Sequence, residues 1–199
     1  DGTASDPKRK FRFTVEFTGL LGKTARVLAL PNPSSCEDGI VWFAKSVTKP
    51  AMTVTETDHT FLDKKFYFPG RVEWSPVTLT LVDPADPARS EDAVKQMNQI
   101  IEASGYHMFK SSSDLETMSK SKSAASLGNV VINQINSDGD TIESWTMNNC
   151  FIKDMKFGDL DYSNEDLRTV DLTIRYDWAT CTFGEGHPDE AIRGRTYFN

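Results

Sequence analysis

The stretch that most constrains the fold runs from Ala51 to Pro84, AMTVTETDHTFLDKKFYFPGRVEWSPVTLTLVDP. Met52 to Thr57 carries threonines on one side, Lys65 to Phe68 carries aromatics on one side, and Val77 to Val82 sets Val77, Leu79 and Leu81 against Thr78 and Thr80. Successive side chains of an extended chain point to opposite faces, so a period of two predicts half-buried strands. Pro69 and Gly70 punctuate the second strand and Pro84 closes the third. The stretch therefore predicts a meander whose first connection, Asp58 to Lys64, forms a charged tip. Such a tip is either a contact element or a solvated loop.

The flanks extend this β pattern. Phe11, Phe13, Val15 and Phe17 alternate with Arg12, Thr14, Glu16 and Thr18, which predicts a strand with an aromatic core face. Residues 1–10, with the basic run Lys8-Arg9-Lys10, are expected to form an N-terminal arm, and Asp1 is expected to be other than the initiator residue. Residues 19–39 are rich in Gly, Pro and Ser around a possible strand at Ala25 to Leu30. Strand character returns from Ile40 to Val47 and stops at Lys49-Pro50. After Pro84 the period becomes 3.6. Asp86 as N-cap, a stripe of Ala93, Val94, Met97, Ile100 and Ile101, and Gly105 as C′ residue predict one amphipathic helix over about 87–104. Residues 107–127 lack periodicity and predict a loop insertion with one short turn near Asp114 to Met118.

Strands resume at Asn129 to Asn136 and Thr141 to Met147, joined by Ser137-Asp138-Gly139-Asp140 with its Asp-Gly hairpin signal. Cys150 to Phe157 follows, with Phe151, Met155 and Phe157 on one face, and then the acidic turn GDLDYSNED. Leu167 to Trp178 reads as one long strand: Val170, Leu172, Ile174, Tyr176 and Trp178 face the core, while Thr169, Asp171, Thr173, Arg175 and Asp177 face water or a lumen. The expected architecture is mainly β, a sandwich or barrel over 11–179 with one packing helix. Residues 180–199 are expected to form a C-terminal arm that docks on a neighbour.

Chemistry is sparse. A net charge of -7 disfavours a general nucleic-acid binder, which draws its affinity from cations on phosphates. Cys36, Cys150 and Cys181 are odd in number and at no metal spacing, consistent with reduced thiols in a cytosolic folding compartment. No apolar run approaches the ~18 residues of a membrane-spanning helix. Asp58, His59 and Asp63 sit together, but a strand tip rarely preorganises a metal or acid–base site, and a solvated contact loop fits better. Asp159, Asp161 and Ser163 open like a calcium loop, yet Asn164 stands where the sharp-turn glycine belongs and Val170 where the last carboxylate belongs. Nucleophile-elbow, phosphate-loop and zinc-protease motifs are absent from the sequence. His59, His107 and His187 are far apart. Trp42, Trp74, Trp145 and Trp178 fit core packing better than a sugar- or base-stacking face. Neither catalysis nor a cofactor is expected.

The ordered set of features resembles the tail tube proteins of contractile-tailed bacteriophages over roughly Phe11 to Ala179. In that family a Gly-Arg turn, an aromatic and an alternating strand ending near an acidic residue precede the only substantial helix. Gly70-Arg71, Trp74, Val77 to Val82 and Asp83 match this pattern here. The closing aromatic-bearing strand corresponds to Val170, Leu172, Ile174, Tyr176, Asp177 and Trp178.

The resemblance implies hexameric rings stacked into a hollow tube whose inner wall is a continuous β-barrel. It also implies a virion tail component, assembled in the host cytoplasm, that a contracting sheath would drive through the host envelope. Implied partners are other copies of the chain, the tail sheath protein, a baseplate tube initiator, the tape measure protein, and double-stranded DNA in transit without sequence-specific binding. Thr169, Asp171, Thr173, Arg175 and Asp177 are the lumen-facing candidates, and an acidic bore would let DNA slide without sticking. Thr53, Thr55, Glu56, Asp58, His59, Lys64 and Lys65 are the candidates for inter-ring or intersubunit contact. A haemolysin-coregulated-type secretion tube, a tube initiator and a carbohydrate-binding or hydrolytic β-sandwich are the alternatives.

Overall fold

The computed structural model describes residues 7–20, 23–28, 43–83, 93–107, 117–163, 165–187 and 189–198. The expected N-cap Asp86, the turn at 114–116, Trp42 and Cys36 lie outside them. Twelve strands and two helices follow in chain order: β1 (Phe13–Leu20), β2 (Lys23–Leu28), β3 (Phe43–Val47), β4 (Met52–Phe61), β5 (Lys64–Trp74), β6 (Val77–Val82), α1 (Ala93–Ala103), α2 (Lys120–Leu127), β7 (Asn129–Ile135), β8 (Thr141–Asn148), β9 (Phe151–Lys156), β10 (Thr169–Arg175), β11 (Trp178–Phe183) and β12 (Thr196–Tyr197). Among the described residues ten strands form one sheet in the order β12-β11-β8-β7-β1-β2-β3-β6-β10-β9, and β4 and β5 form a separate two-stranded sheet.

A short connection shows that the large sheet curls. β10 and β11 stand near opposite ends of the strand order, yet only Tyr176 and Asp177 separate them in sequence. Each residue spans at most ~3.6 Å, so the two ends of the sheet must approach within roughly 10 Å. The core agrees. Val15, Phe17, Val130, Ile132 and Met147 from one half and Leu79, Leu81, Leu172 and Ile174 from the other belong to one buried cluster. In β10 and β6 these residues face each other directly, Leu172 opposite Leu79 and Val170 opposite Leu81. This is the mainly β sandwich or barrel that the alternation predicts.

α1 delivers Met97 and Ile100 to the same core. Its end closes as expected at Gly105 (φ 97°): the Gly105 amide donates to the Glu102 carbonyl at 2.9 Å and the Tyr106 amide to the Ile101 carbonyl at 3.3 Å. This is the Schellman pattern, which favours glycine at the left-handed position.

The structure corrects the expected elements in several places. Residues 120–127, expected as loop, form the second helix α2, capped by the Ser119 hydroxyl, which accepts from the Lys122 amide. α2 packs on β1, β9 and α1. Its buried side of Ser123, Ser126 and Leu127 shows little apolar periodicity because the serines satisfy one another: the Ser104 and Ser126 hydroxyls lie 2.9 Å apart, and Ser126 Oγ donates to the Ser123 carbonyl. Phe11 is 69% exposed and outside the core. In β9 a register shift between Ile152 and Asp154 changes the parity, so Ile152, Met155 and Phe157 pack on the core in place of Phe151.

The long strand expected over Leu167 to Trp178 breaks at the Tyr176-Asp177 corner. Beyond it Ala179 and Cys181 turn inward and Trp178 faces out. The residues past Thr180 continue β11, and β12 pairs back on it with Cys181 opposite Tyr197, while Phe198 stacks on Trp145 and meets Trp74 edge-on.

Candidate assembly surfaces

The β4–β5 hairpin departs furthest from the expected half-buried meander. Every residue from Ala51 to Glu73 is exposed, on both faces of the ribbon. The tip is a two-residue turn, Leu62-Asp63, and the charged residues Asp58 to Lys64 continue the strands. Leu62 takes φ 54°, a left-handed conformation that costs a branched residue about 1 kcal/mol and that glycine adopts freely.

Register sorts the side chains onto two distinct faces. Thr57 lies opposite Phe68, His59 opposite Phe66 and Phe61 opposite Lys64. The threonine side of β4, with Thr53 and Thr55, thus shares a face with Phe66 and Phe68 of β5, a face that also carries His59, Phe61, Lys64 and Glu73 and that the described residues leave uncovered. Asp58 lies opposite Tyr67, Thr60 opposite Lys65 and Glu56 opposite Pro69 on the other face, which carries its charge toward the tip and the apolar pair Val54–Val72 toward the base. There Lys65 Nζ sits 3.0 Å from Asp58 and 5.4 Å from the centre of the Tyr67 ring.

A bulge shapes the ribbon midway. Thr55 Oγ1 accepts from the Arg71 amide at 2.8 Å and donates to the Arg71 carbonyl at 3.2 Å, which uses both roles of the hydroxyl within the hairpin. A Cβ on Gly70 would lie 2.5 Å from that same oxygen, so the close approach requires glycine.

The polar face of β10 is a second candidate surface. Asp171 lies opposite Lys156 and Thr80, and Thr173 opposite Asp154 and Thr78. The Thr80 hydroxyl donates to Asp171 at 2.6 Å. Asp154 and Asp171 therefore stand among Lys156 and Arg175, and charge at these positions balances. Asp177 departs from this row. Lys120 Nζ donates to both its oxygens, at 2.7 and 2.6 Å, and Asn149 Nδ2 donates at 3.0 Å, which together hold the carboxyl below its usual range.

One charged group that the sequence does not single out anchors the base of the hairpin. Burial alone would push the Glu143 carboxyl up, but hydrogen bonds from Lys49 (2.8 Å), Lys8 (2.6 Å) and the Trp145 indole bring it down to about 2. Glu143 thus ties the segment before β1 and the connection leading into β4 to β8. Among the described residues no group of His, Cys, Asp and Glu is placed to hold a metal ion, and no helix is long and apolar enough to cross a membrane.

Solved structures share this architecture. A chain of the six-fold-symmetrised anti-feeding prophage baseplate superposes with a TM-score of 0.60 at 14% identity, over 91% of this chain and 99% of that one. A chain of the PVC extracellular contractile injection system, from its sheath/tube terminator in the extended state, gives 0.57 at 15% identity over 90% and 99%. Another, from the PVC sheath–tube complex in the extended state, gives 0.53 at 15% identity over 91% and 95%. No family model and no curated protein matches the sequence. The chain is a mainly β protein built as a curled sheet with a free-standing hairpin. Its fold is one found in the tube, cap and baseplate assemblies of contractile injection systems.

Proposed function

We propose that the chain is a structural, non-enzymatic tube subunit that forms hexameric rings stacked into a hollow conduit. The observation that carries this reading is the hairpin: a ribbon exposed on both faces, with Phe61, Phe66 and Phe68 on one of them, on a fold matched over 90% and 91% of its length by chains of contractile injection systems. Isolated two-stranded ribbons are marginal in water and exposed aromatic faces mark interaction sites, so the hairpin is completed by another copy. Thr53, Thr55, His59 and Lys64 lie on the face that docks, and Glu56, Asp58 and Lys65 on the charged face, where exposed pairs are worth ~0–1 kcal/mol each and set register more than affinity.

The row Thr169, Asp171, Thr173 and Arg175 faces the bore, with Asp177 held at its end by α2. In a phage tail the conduit passes double-stranded DNA, the sheath surrounds it, and a baseplate initiator and tape measure protein set its start and length. A conduit outside a phage, as in an extracellular contractile injection system, is the second reading. Light scattering over a concentration series tests assembly, and a strictly monomeric chain refutes it. Nuclease-protected DNA in purified particles separates the two conduits.

A further inference from the structure

The large sheet has a seam where β2 and β3 meet at the single pair Leu28–Phe43. Near it, between β1, β7 and β3, lies a groove of about 900 Å³ with Phe13, Ala44, Val47 and Ile132 in its lining and Lys10 and Lys45 among its polar members. Neither lysine has a hydrogen bond or ion pair among the described residues. An apolar groove edged by cations that no described residue pairs fits an acidic segment with large apolar side chains.

The chain itself carries such a segment. The connection between β9 and β10 presents Leu160 and Tyr162, at 84% and 112% exposure, beside Asp159, Asp161 and Glu165. Hydrogen bonds tie parts of this connection. Arg168 Nε donates to the Phe157 carbonyl at 3.2 Å and closes the base, Arg168 also reaches Asp83, and Asp161 Oδ1 accepts from the amide and hydroxyl of Ser163 at 2.9 and 2.8 Å.

We propose that the acidic β9–β10 loop of one copy seats in the lysine-edged groove of the next. Leu160 and Tyr162 enter the apolar lining while Asp159 and Glu165 meet Lys10 and Lys45. Groove and loop are different parts of the chain, so the contact is heterologous and repeats around a ring when the rotation closes. It rests on the ring-forming reading above.

Reciprocal charge reversal tests it. Variant one carries Lys10→Glu and Lys45→Glu; variant two carries Asp159→Lys and Glu165→Lys. Each alone sets like charge against like, and the concentration at half-association, read by light scattering with circular dichroism as the folding control, rises at least about tenfold. Mixed one to one, the acidic loop of variant one meets the native groove of variant two, and the basic loop of variant two meets the acidic groove of variant one. Association returns in the mixture. Wild-type rings that persist unchanged in both variants, or folded variants whose mixture stays dissociated, overturn the contact and leave the ring reading standing. A wild-type chain that never associates overturns both.

Discussion

Replacing Phe66 and Phe68 by threonine keeps two good strand formers in β5 and removes most of the aromatic face of the hairpin. A fully covered Phe buries about 150–250 Å². At 48% and 56% exposure the two rings leave about 200 Å² for a partner to cover. At about 25 cal/mol per Å² this amounts to about 5 kcal/mol, of which association recovers only part. A loss of about 3 kcal/mol raises the concentration needed for assembly about a hundredfold. Both rings are already half in water in the isolated subunit, so the thermal midpoint of the unassembled protein stays nearly fixed. Sedimentation across a concentration series measures the threshold and calorimetry the midpoint. A threshold within twofold of wild type in a folded double variant refutes the assignment of this face to assembly.

Three further outcomes follow from single sites. Glu143, held at about 2 in the folded chain against 4.5 for a free carboxyl, contributes stability that is present above pH 4.5 and is lost as pH falls through 4.5 toward 2. The contribution is about 2–3 kcal/mol, discounted for half-exposed lysines, and urea melts of Glu143→Gln should be less stable at pH 7 and converge with wild type only as the pH approaches about 2. Gly105→Ala places a Cβ 2.7 Å from the Thr117 carbonyl at φ 97° and costs about 1–3 kcal/mol in the same melts. Gly70→Ala meets Thr55 Oγ1 at 2.5 Å and disturbs the bulge, so it weakens assembly while the core, which the hairpin meets through Trp74 at its base, nearly keeps its melting temperature.

Where one face of a strand is buried, the sequence is transparent. Val77, Leu79 and Leu81 in β6, and Val170, Leu172 and Ile174 in β10, alternate without interruption and all lie in the core. The hairpin reads less well because alternation reports two chemically different faces, which in β4 and β5 are both solvent-facing in the subunit; periodicity does not say that either is covered. The Tyr176-Asp177 corner is hidden for a related reason. Tyr176 and Trp178 preserve the rhythm of β10 through the break, and only Ala179 and Cys181, alternating on the opposite parity, mark where the inward side changes. α2 escapes the helical pattern because serines bury themselves at its contact with α1. Glu143 gives little local signal: apart from the neighbouring Trp145 indole, its partners, Lys8 and Lys49, are brought to it only by the fold.

Negative-stain electron microscopy of the purified chain, taken through increasing concentration, tests the central claim most directly. Six-fold rings that stack into hollow tubes, lost in the Phe66→Thr/Phe68→Thr variant, are the predicted result. Folded monomers at every concentration, or rings that stack equally well without the two aromatics, contradict the account.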